Sequence, residues 1–136
     1  MYQPLLVDHY RFPRHKGEIE NPHFSSQHHN PSCGDMVQFQ GIVDTNGSIS
    51  RISFNGHGCV ISQATASLLS ERVIGATVQH ALTLKVTDII SLIEIELGPT
   101  RLKCALLPLQ ALQQGLLSYL SGHQEIQKIT ITNHDR

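Results

Sequence analysis

The chain has 136 residues, of which 40% are hydrophobic and 15% charged, and this length and composition suit one globular domain with its own core. The formal net charge is -1 and no block of like charge occurs, which argues against a surface that binds nucleic-acid phosphates. No apolar run approaches the roughly 18 residues of a membrane span, and the start lacks a signal or transit peptide, so we predict a single cytoplasmic domain, residues 1–136, that does not bind membranes.

The first part of the chain predicts a short helix followed by a polar loop. In "PLLVDHY" the apolar side chains fall on one side of a helix, which ends ahead of Pro13 because the residue before a proline avoids helical angles. Residues 17–32 are polar and contain two prolines. We therefore predict a loop there, with an irregular edge strand over residues 24–27.

The next segment, "MVQFQGIVDTNGSISRISFNG", predicts an antiparallel hairpin. Val37, Phe39 and Val43 alternate with more polar positions, as in a strand with one buried face. The dipeptide Asn46-Gly47 accommodates the positive φ angles of a tight hairpin turn.

The rest of the chain predicts three helical stretches and an irregular tail. Apolar residues recur at helical spacing from Ile61 to Ile74 and predict a helix. Gly75 follows them, as a glycine often follows a helix C-terminus. A second helix is predicted with Thr87 as its N-cap. The last helix carries leucines 106, 109, 112, 116 and 120 and has Pro108 in its first turn, where a missing N-H has no partner in any case. The tail, residues 122–136, is predicted to be irregular or to form a short strand at "KITIT".

The three cysteines lie at predicted junctions between these elements. Cys33 precedes the hairpin, Cys59 immediately precedes a helix, and Cys104 precedes the last helix. Three cysteines cannot all pair within one chain, and a reducing compartment would leave them as thiols. A buried cysteine is often only a small hydrophobic residue, but glycines flank two of the three and helix N-termini favour a thiolate. We therefore predict metal binding or thiol chemistry.

Four separated blocks carry a family resemblance. In order, "VDHYRFPRHKG", "NPSCGDMVQFQ", "FNGHGCVISQATASLLSE" and "RLKCALLPLQAL" resemble the U-type iron-sulfur cluster assembly scaffolds, the family of IscU, SufU and the N-terminal domain of NifU. The resemblance covers about residues 2 to 120. It implies an α+β fold in which helices cover a small three-stranded antiparallel sheet and the cysteines converge at one exposed end.

The same resemblance implies a function and a set of site residues. Cys33, Cys59 and Cys104 would be the thiolate ligands and the sulfur acceptors, and Asp35 would be the aspartate of the family's C-G-D motif. Such a scaffold receives sulfur from a cysteine desulfurase, assembles a transient [2Fe-2S] cluster and passes it to apo-proteins or carrier proteins. No independent turnover is expected of it.

Several positions depart from the family pattern. Lys103 stands where IscU-type members have histidine, as in SufU-type members, yet the SufU-type insertion between the second and third cysteines is absent. In "LGPTR", Gly98 and Thr100 replace residues of the L-P-P-V-K element that a dedicated Hsp70 chaperone reads, which argues against that partnership. His15 replaces the family's usual asparagine.

The loss of the histidine affects the predicted metal site. A protonated lysine cannot bind a metal, so the four donors of a tetrahedral site would be Cys33, Asp35, Cys59 and Cys104, with Lys103 auxiliary. This set would hold Zn²⁺ as well as iron. His57, at a strand end, and the pair His28-His29, in the preceding loop, are weaker candidates for a nitrogen donor. For Asp35 the alternative is a loop-capping role.

Two readings within the family and one outside it stay open. The first is the [2Fe-2S] scaffold. The second is a zinc-dependent sulfur acceptor that relays persulfide sulfur to another scaffold, favoured by Lys103. The third is an enzyme with a cysteine nucleophile activated by one of the nine histidines, but no oxyanion-hole motif accompanies any of the cysteines.

Overall fold

The computed structural model describes the backbone of residues 3–32 and 34–134 and the side chains of residues 3–32 and 34–122. Within these ranges the elements follow one another along the chain as α1 (Pro4–Arg11), β1 (Phe24–Asn30), β2 (Asp35–Val43), β3 (Ile49–His57), α2 (Val60–Val73), α3 (Val78–Leu82), α4 (Val86–Ile93) and α5 (Pro99–His134). The sheet has three antiparallel strands in the order β1-β2-β3. The predicted α+β fold is confirmed.

The sheet has one buried face, as the alternation in the sequence predicts. Along β2 the residues are buried and half-buried in strict alternation, and Val37, Phe39 and Val43 belong to the core. The hairpin between β2 and β3 turns at residues 44–48, where Gly47 has a φ of 80° and the Asn46 N-H donates to Asp44 Oδ1. The predicted hairpin is confirmed, and the predicted edge strand is longer than expected, since β1 extends to Asn30.

The edge of β3 is covered by the segment after α1. The Phe54 N-H donates to the His15 carbonyl at 2.9 Å, and the Gly17 N-H donates to the Phe54 carbonyl at 3.0 Å. His15 has a φ of 64°, a left-handed conformation in which asparagine and histidine are both enriched. This geometry explains why the family's asparagine can be replaced by histidine at this position.

Helix α2 lies at the centre of the molecule. It packs against α1, α4, α5, β2 and β3, so polar as well as apolar residues are buried along it: Ser62, Gln63, Thr65, Ser67 and Ser70. The helix and its terminating glycine are confirmed, since Gly75 has a φ of 84° just beyond the helix. The burial of its polar face was not predicted, because a local pattern does not reveal how many neighbours surround a helix.

Two details of the region after α2 differ from the prediction. Helix α3 was not predicted; it begins after Thr77, whose hydroxyl accepts the His80 N-H at 3.1 Å. Thr87 as an N-cap is wrong, because α4 begins at Val86, within the turn that is closed by the hydrogen bond from the Lys85 N-H to the Asp88 carboxylate at 2.7 Å.

The last helix begins earlier than predicted. Its first described hydrogen bond runs from the Leu102 N-H to the Gly98 carbonyl at 2.9 Å, so the proline in its first turn is Pro99. The placement of Pro108 in the first turn is therefore wrong; Pro108 lies inside α5. Leucines 109, 112 and 116 are buried as expected.

The predicted irregular or strand-forming tail, residues 122–136, is wrong as far as the backbone is described, because α5 continues to His134. The single domain over residues 1–136 stays a prediction. Among residues 3–32 and 34–134, none of the helices combines the length and the apolar character that a membrane span requires.

Candidate metal centre

Two cysteines and one aspartate come together at one end of the sheet. One ligand atom each of Asp35, Cys59 and Cys104 lies within 4.8 Å of the other two. In the part of the chain that the structure describes, this is the one group of three or more His, Cys, Asp or Glu residues close enough to share an ion. The three residues come from the start of β2, the N-cap of α2 and the second turn of α5.

Asp35 is the first residue of β2 and is buried, with 3% of its surface exposed. Its Oδ1 accepts a hydrogen bond from the Cys59 backbone N-H at 3.2 Å. A buried carboxylate requires compensation by hydrogen bonds or by a cation. Its position therefore suits a ligand better than a solvent-facing loop cap.

Gly58 allows the Asp35 carboxylate to reach this position. Its φ of 136° disfavours any residue with a side chain, and a Cβ at this position would overlap the Asp35 carboxylate. The sequence pattern predicts that the glycines around Cys59 admit an anion or a sulfur atom. The structure shows that the anion packed against Gly58 is a side chain of the protein itself.

Cys59 is the N-cap residue of α2. Its Sγ accepts the Ser62 N-H at 3.5 Å, so the sulfur receives one of the unpaired amide donors at the start of the helix. The positive end of the helix dipole is directed at the same sulfur. The predicted place of Cys59 just before a helix is confirmed, but the contribution of Ser62 was not predicted; its position three residues after an N-cap was the available signal.

Cys104 lies inside α5 and not before it, which corrects the predicted junction. It is the sixth residue of a helix that starts at Pro99, and 5% of its surface is exposed. The partial positive charge of a helix N-terminus therefore acts on Cys59 and was wrongly expected for Cys104. Cys104 belongs to the hydrophobic core, so the site lies where the core meets the surface.

Cys33 lies outside the described residues, and its predicted role stays a prediction. Its neighbours in sequence are described: the Gly34 N-H donates to the Asn30 carbonyl at 2.8 Å, and Gly34 has a φ of 76°. Asn30 pairs with Asp35 across the sheet, so residues 31–34 form a short connection between β1 and β2. Cys33 and Asp35 are two positions apart in the sequence.

The histidines that the sequence offers as substitute nitrogen donors do not join this cluster. His57 ends β3 and is exposed, and it lines a cavity on another side of Gly58. His28 and His29 lie on β1. Lys103 is exposed and borders, together with His29, a cavity of about 230 Å³.

The donor set fits a metal ion or a cluster. Ligand atoms on one tetrahedral zinc ion lie within roughly 4 Å of each other, so the observed limit of 4.8 Å requires only small side-chain movements. Thiolates suit Zn²⁺ and iron-sulfur clusters, and a carboxylate adds a harder and more exchangeable oxygen. The geometry therefore allows either a zinc ion or an iron-sulfur cluster.

Residues 1–126 match the family model described as NifU-like N terminal domain. The chain is 32% identical over 126 residues to the "Iron-sulfur cluster assembly scaffold protein IscU" of Escherichia coli K12, with 90% of this chain and 97% of that protein covered. It is 34% identical over 128 residues to the "Iron-sulfur cluster assembly enzyme IscU" of Drosophila melanogaster, with 92% and 82% covered.

A relative named for a different function is similar at a slightly lower identity. The "Zinc-dependent sulfurtransferase SufU" of Bacillus subtilis is 29% identical over 140 residues, with 90% of this chain and 94% of that protein covered.

Solved structures share the fold. FiSufU, a SUF-system protein from Fervidobacterium islandicum, superimposes with a TM-score of 0.75 at 30% identity, covering 85% of this chain and 96% of that one. The N-terminal part of a NifU-like protein from Brucella abortus superimposes with a TM-score of 0.71, covering 88% and 94%; at 18% identity this likeness supports the fold alone.

Proposed function

Because the chain belongs to the family of NifU-like N-terminal domains, we propose that it acts as a scaffold in iron-sulfur cluster assembly. In this role it accepts sulfur from a cysteine desulfurase, holds a transient [2Fe-2S] cluster as cargo and passes it to apo-proteins or carrier proteins. The protein itself performs no independent turnover. An Hsp70-type chaperone is not expected as a partner, because Gly98 and Thr100 depart from the element that such a chaperone reads.

The convergence of Asp35, Cys59 and Cys104 within 4.8 Å carries this proposal. Two soft sulfurs and one hard oxygen meet at the edge of the core, and chain connectivity keeps Cys33 near Asp35. We propose that Cys33, Cys59 and Cys104 accept sulfur and, with Asp35, hold the cluster. Cys59 is half-buried and Cys104 is buried, so Cys59 is the more accessible of the two described thiols.

Anaerobic reconstitution with iron and sulfide, followed by absorption spectra and metal counting, tests the scaffold role. We expect cluster absorption bands and about two iron atoms per occupied site. The variants Cys59→Ser and Cys104→Ser should lose the bands. A matched control is Glu96→Gln, which alters an exposed acidic residue that lies outside the cluster, and this variant should reconstitute like the wild type.

A second candidate function is zinc-dependent sulfur transfer to another scaffold. It is favoured by Lys103, which supplies no nitrogen ligand while protonated, and by the similarity to the Bacillus subtilis protein. In this reading Cys33, Asp35, Cys59 and Cys104 hold Zn²⁺, which would keep the thiolates reactive. Near-stoichiometric zinc after purification, with no cluster bands after reconstitution, would support this function and contradict the scaffold role.

The cysteine-enzyme hypothesis makes a different prediction. A single catalytic nucleophile would be required for hydrolysis of thioesters or peptides, whereas a scaffold or relay should show no such activity. Measuring hydrolysis in the wild type, and persulfide formation in each cysteine variant, separates the two classes.

A further inference from the structure

A second cavity lies next to the candidate metal centre and shares one wall with it. It has a volume of about 490 Å³ and is enclosed by the end of α1, the segment after it, and the end of β3. Gly58 contributes to this wall, and the Asp35 carboxylate packs against the same glycine. The volume falls within the range of small-molecule sites.

The charge of the cavity favours an anionic group. Arg11 and Lys16 line it, and none of the described residues that line it carries a carboxylate. Two carboxylates of the same region are already engaged: Asp8 pairs with Arg14 at 2.5 Å, and Glu71 lies 3.4 Å from His9 Nε2. The two permanent cations, Arg11 and Lys16, are therefore available to a ligand carboxylate.

A buried amide at the same cavity requires a hydrogen-bond donor. Gln63 lines the cavity with 8% of its surface exposed, and its Nε2 donates to the Met36 carbonyl at 3.3 Å and to Ser62 Oγ at 3.1 Å. Its Oε1 has no hydrogen-bond partner among the described residues. An unsatisfied buried acceptor is costly, and a simple carboxylate offers it no proton.

Gln63 Oε1 lies close to Gly56, and both residues line the cavity. A Cβ on Gly56 would lie 3.0 Å from Gln63 Oε1 and only 2.2 Å from the Met36 carbonyl oxygen, so the glycine is needed for this close packing. A donor group reaches the amide oxygen from the cavity only when the wall moves.

We propose that this cavity binds a free α-amino acid in its zwitterionic form. The carboxylate would pair with Arg11 and Lys16, and the ammonium group would donate to Gln63 Oε1. Tyr10, Pro13 and Phe54 provide an apolar wall for the side chain. The inference rests on these lining residues and does not depend on the proposed scaffold function.

Titration of the isotope-labelled, zinc-free full chain with L-alanine, followed by NMR, tests the proposal. We expect saturable shifts of Gly56, Gly58 and the Gln63 side-chain amide, with an affinity in the millimolar range that suits so few atoms. Propionate, which lacks the ammonium group, and ethylamine, which lacks the carboxylate, should each bind about tenfold more weakly.

Variants of the lining residues test which of them bind the carboxylate and which bind the ammonium group of the ligand. The double variant Arg11→Ala/Lys16→Ala should weaken L-alanine binding by at least about tenfold, whereas Lys85→Ala, which removes an exposed lysine that does not line this cavity, should bind normally. Gln63→Leu should abolish the preference for alanine over propionate without weakening propionate.

Equal affinities for alanine, propionate and ethylamine in the wild type would overturn the proposal, as would an unaltered affinity in the double variant. The wild-type shift of the Gln63 side-chain amide decides the amide's role even if Gln63→Leu does not fold. A shift with alanine and none with propionate supports the assignment, and any other pattern contradicts it.

Discussion

A hydrogen bond of 3.2 Å from the Cys59 backbone N-H to Asp35 Oδ1 ties the start of β2 to the N-cap of α2 across 24 residues of sequence. The bond holds the carboxylate beside a residue whose sulfur caps the same helix. The geometry of the oxygen donor and that of one sulfur donor are therefore linked through the backbone. A change that moves either residue should disturb both.

Replacing Gly58 with alanine should disrupt this link. The added Cβ overlaps the Asp35 carboxylate and must displace it, so we expect zinc affinity to fall by about 10- to 100-fold, as it does when groups that orient a ligand are altered. Competition with a chromogenic chelator measures the affinity.

Gly75→Ala is the matched control for Gly58→Ala. Gly75 also has a positive φ, but a Cβ added there would meet no heavy atom of the described residues within 4 Å beyond its chain neighbours, so alanine should cost about 1 kcal/mol of unfolding free energy. The zinc affinity of this variant should be unchanged. An equal loss of affinity in both variants would assign the effect to backbone strain and not to Asp35.

Asp35→Ala should give a cluster that persists longer but transfers poorly. The exchangeable oxygen is expected to be the point of release, and we expect transfer to an apo-ferredoxin to slow by about tenfold, the scale of effects seen when metal surroundings are altered. Circular dichroism of the cluster bands follows the transfer.

Asp35→Asn separates ligation from structure. The amide oxygen can still accept the Cys59 N-H, but it is a poorer ligand than a carboxylate. Slow transfer in both variants would assign the effect to the lost carboxylate. Normal transfer in the asparagine variant would show that the hydrogen bond, and not ligation by Asp35, controls release.

Removing the metal should lower thermal stability. Thiolates and a carboxylate brought together repel one another until a cation neutralises them, and metal that binds only the folded state adds its binding free energy to folding. With free zinc at about 100 times its Kd this contribution is about 2.7 kcal/mol, so Tm should fall by roughly 10 °C after chelation.

The double variant Cys59→Ser/Cys104→Ser provides the control, because its Tm should not respond to zinc or to chelator. If the wild-type Tm is unchanged by EDTA under conditions shown to strip the metal, the coupling between metal binding and folding does not exist.

His9 should make stability depend on pH. It is buried between α1 and α2; its Nδ1 lies 2.7 Å from Ser67 Oγ, which also accepts the Arg14 N-H at 2.8 Å. Burial, and then the charge of Arg14, lower the pKa of His9 below its usual value, although Glu71 and Asp8 act in the opposite direction. In the neutral ring with its proton on Nε2, Nδ1 accepts the Ser67 hydroxyl and the Nε2-H is directed at the Glu71 carboxylate.

The sign of the pH effect follows from this lowered pKa. Above the ordinary histidine pKa of about 6.5 His9 is neutral in both states and its contribution to folding is complete. As the pH falls below that value the unfolded chain takes up the proton first, so stability is lost as the pH falls through the folded pKa.

Urea unfolding of the metal-free protein at pH 7.5 and at pH 5.5 measures this loss. His9→Gln, which is neutral at both values, should be less stable than the wild type by about 1 kcal/mol at pH 7.5 and should approach it at pH 5.5. A constant difference between the two proteins would show that His9 does not titrate on unfolding.

Local patterns predicted those elements whose backbone conformation depends on a few neighbouring residues. The alternation in β2, the glycine in the hairpin turn and the terminating Gly75 depend on nearest neighbours, and all three are confirmed. The N-cap Thr87 and the helix start near Pro108 are wrong, since α4 has Lys85 as its N-cap residue and α5 begins at Pro99. The sequence offers more than one capping residue and more than one proline near these helix starts, and local patterns do not distinguish between them.

For the candidate site, the amino-acid sequence alone identified the donor types, and the family resemblance indicated which of them meet. The fold was needed to show that ligand atoms of Asp35, Cys59 and Cys104 lie within 4.8 Å of one another, that Gly58 leaves room for the carboxylate, and that Cys104 lies inside a helix. The physical reason is that a distance between residues 24 or more positions apart depends on how a sheet and two helices pack together. Local propensities carry no information about that packing.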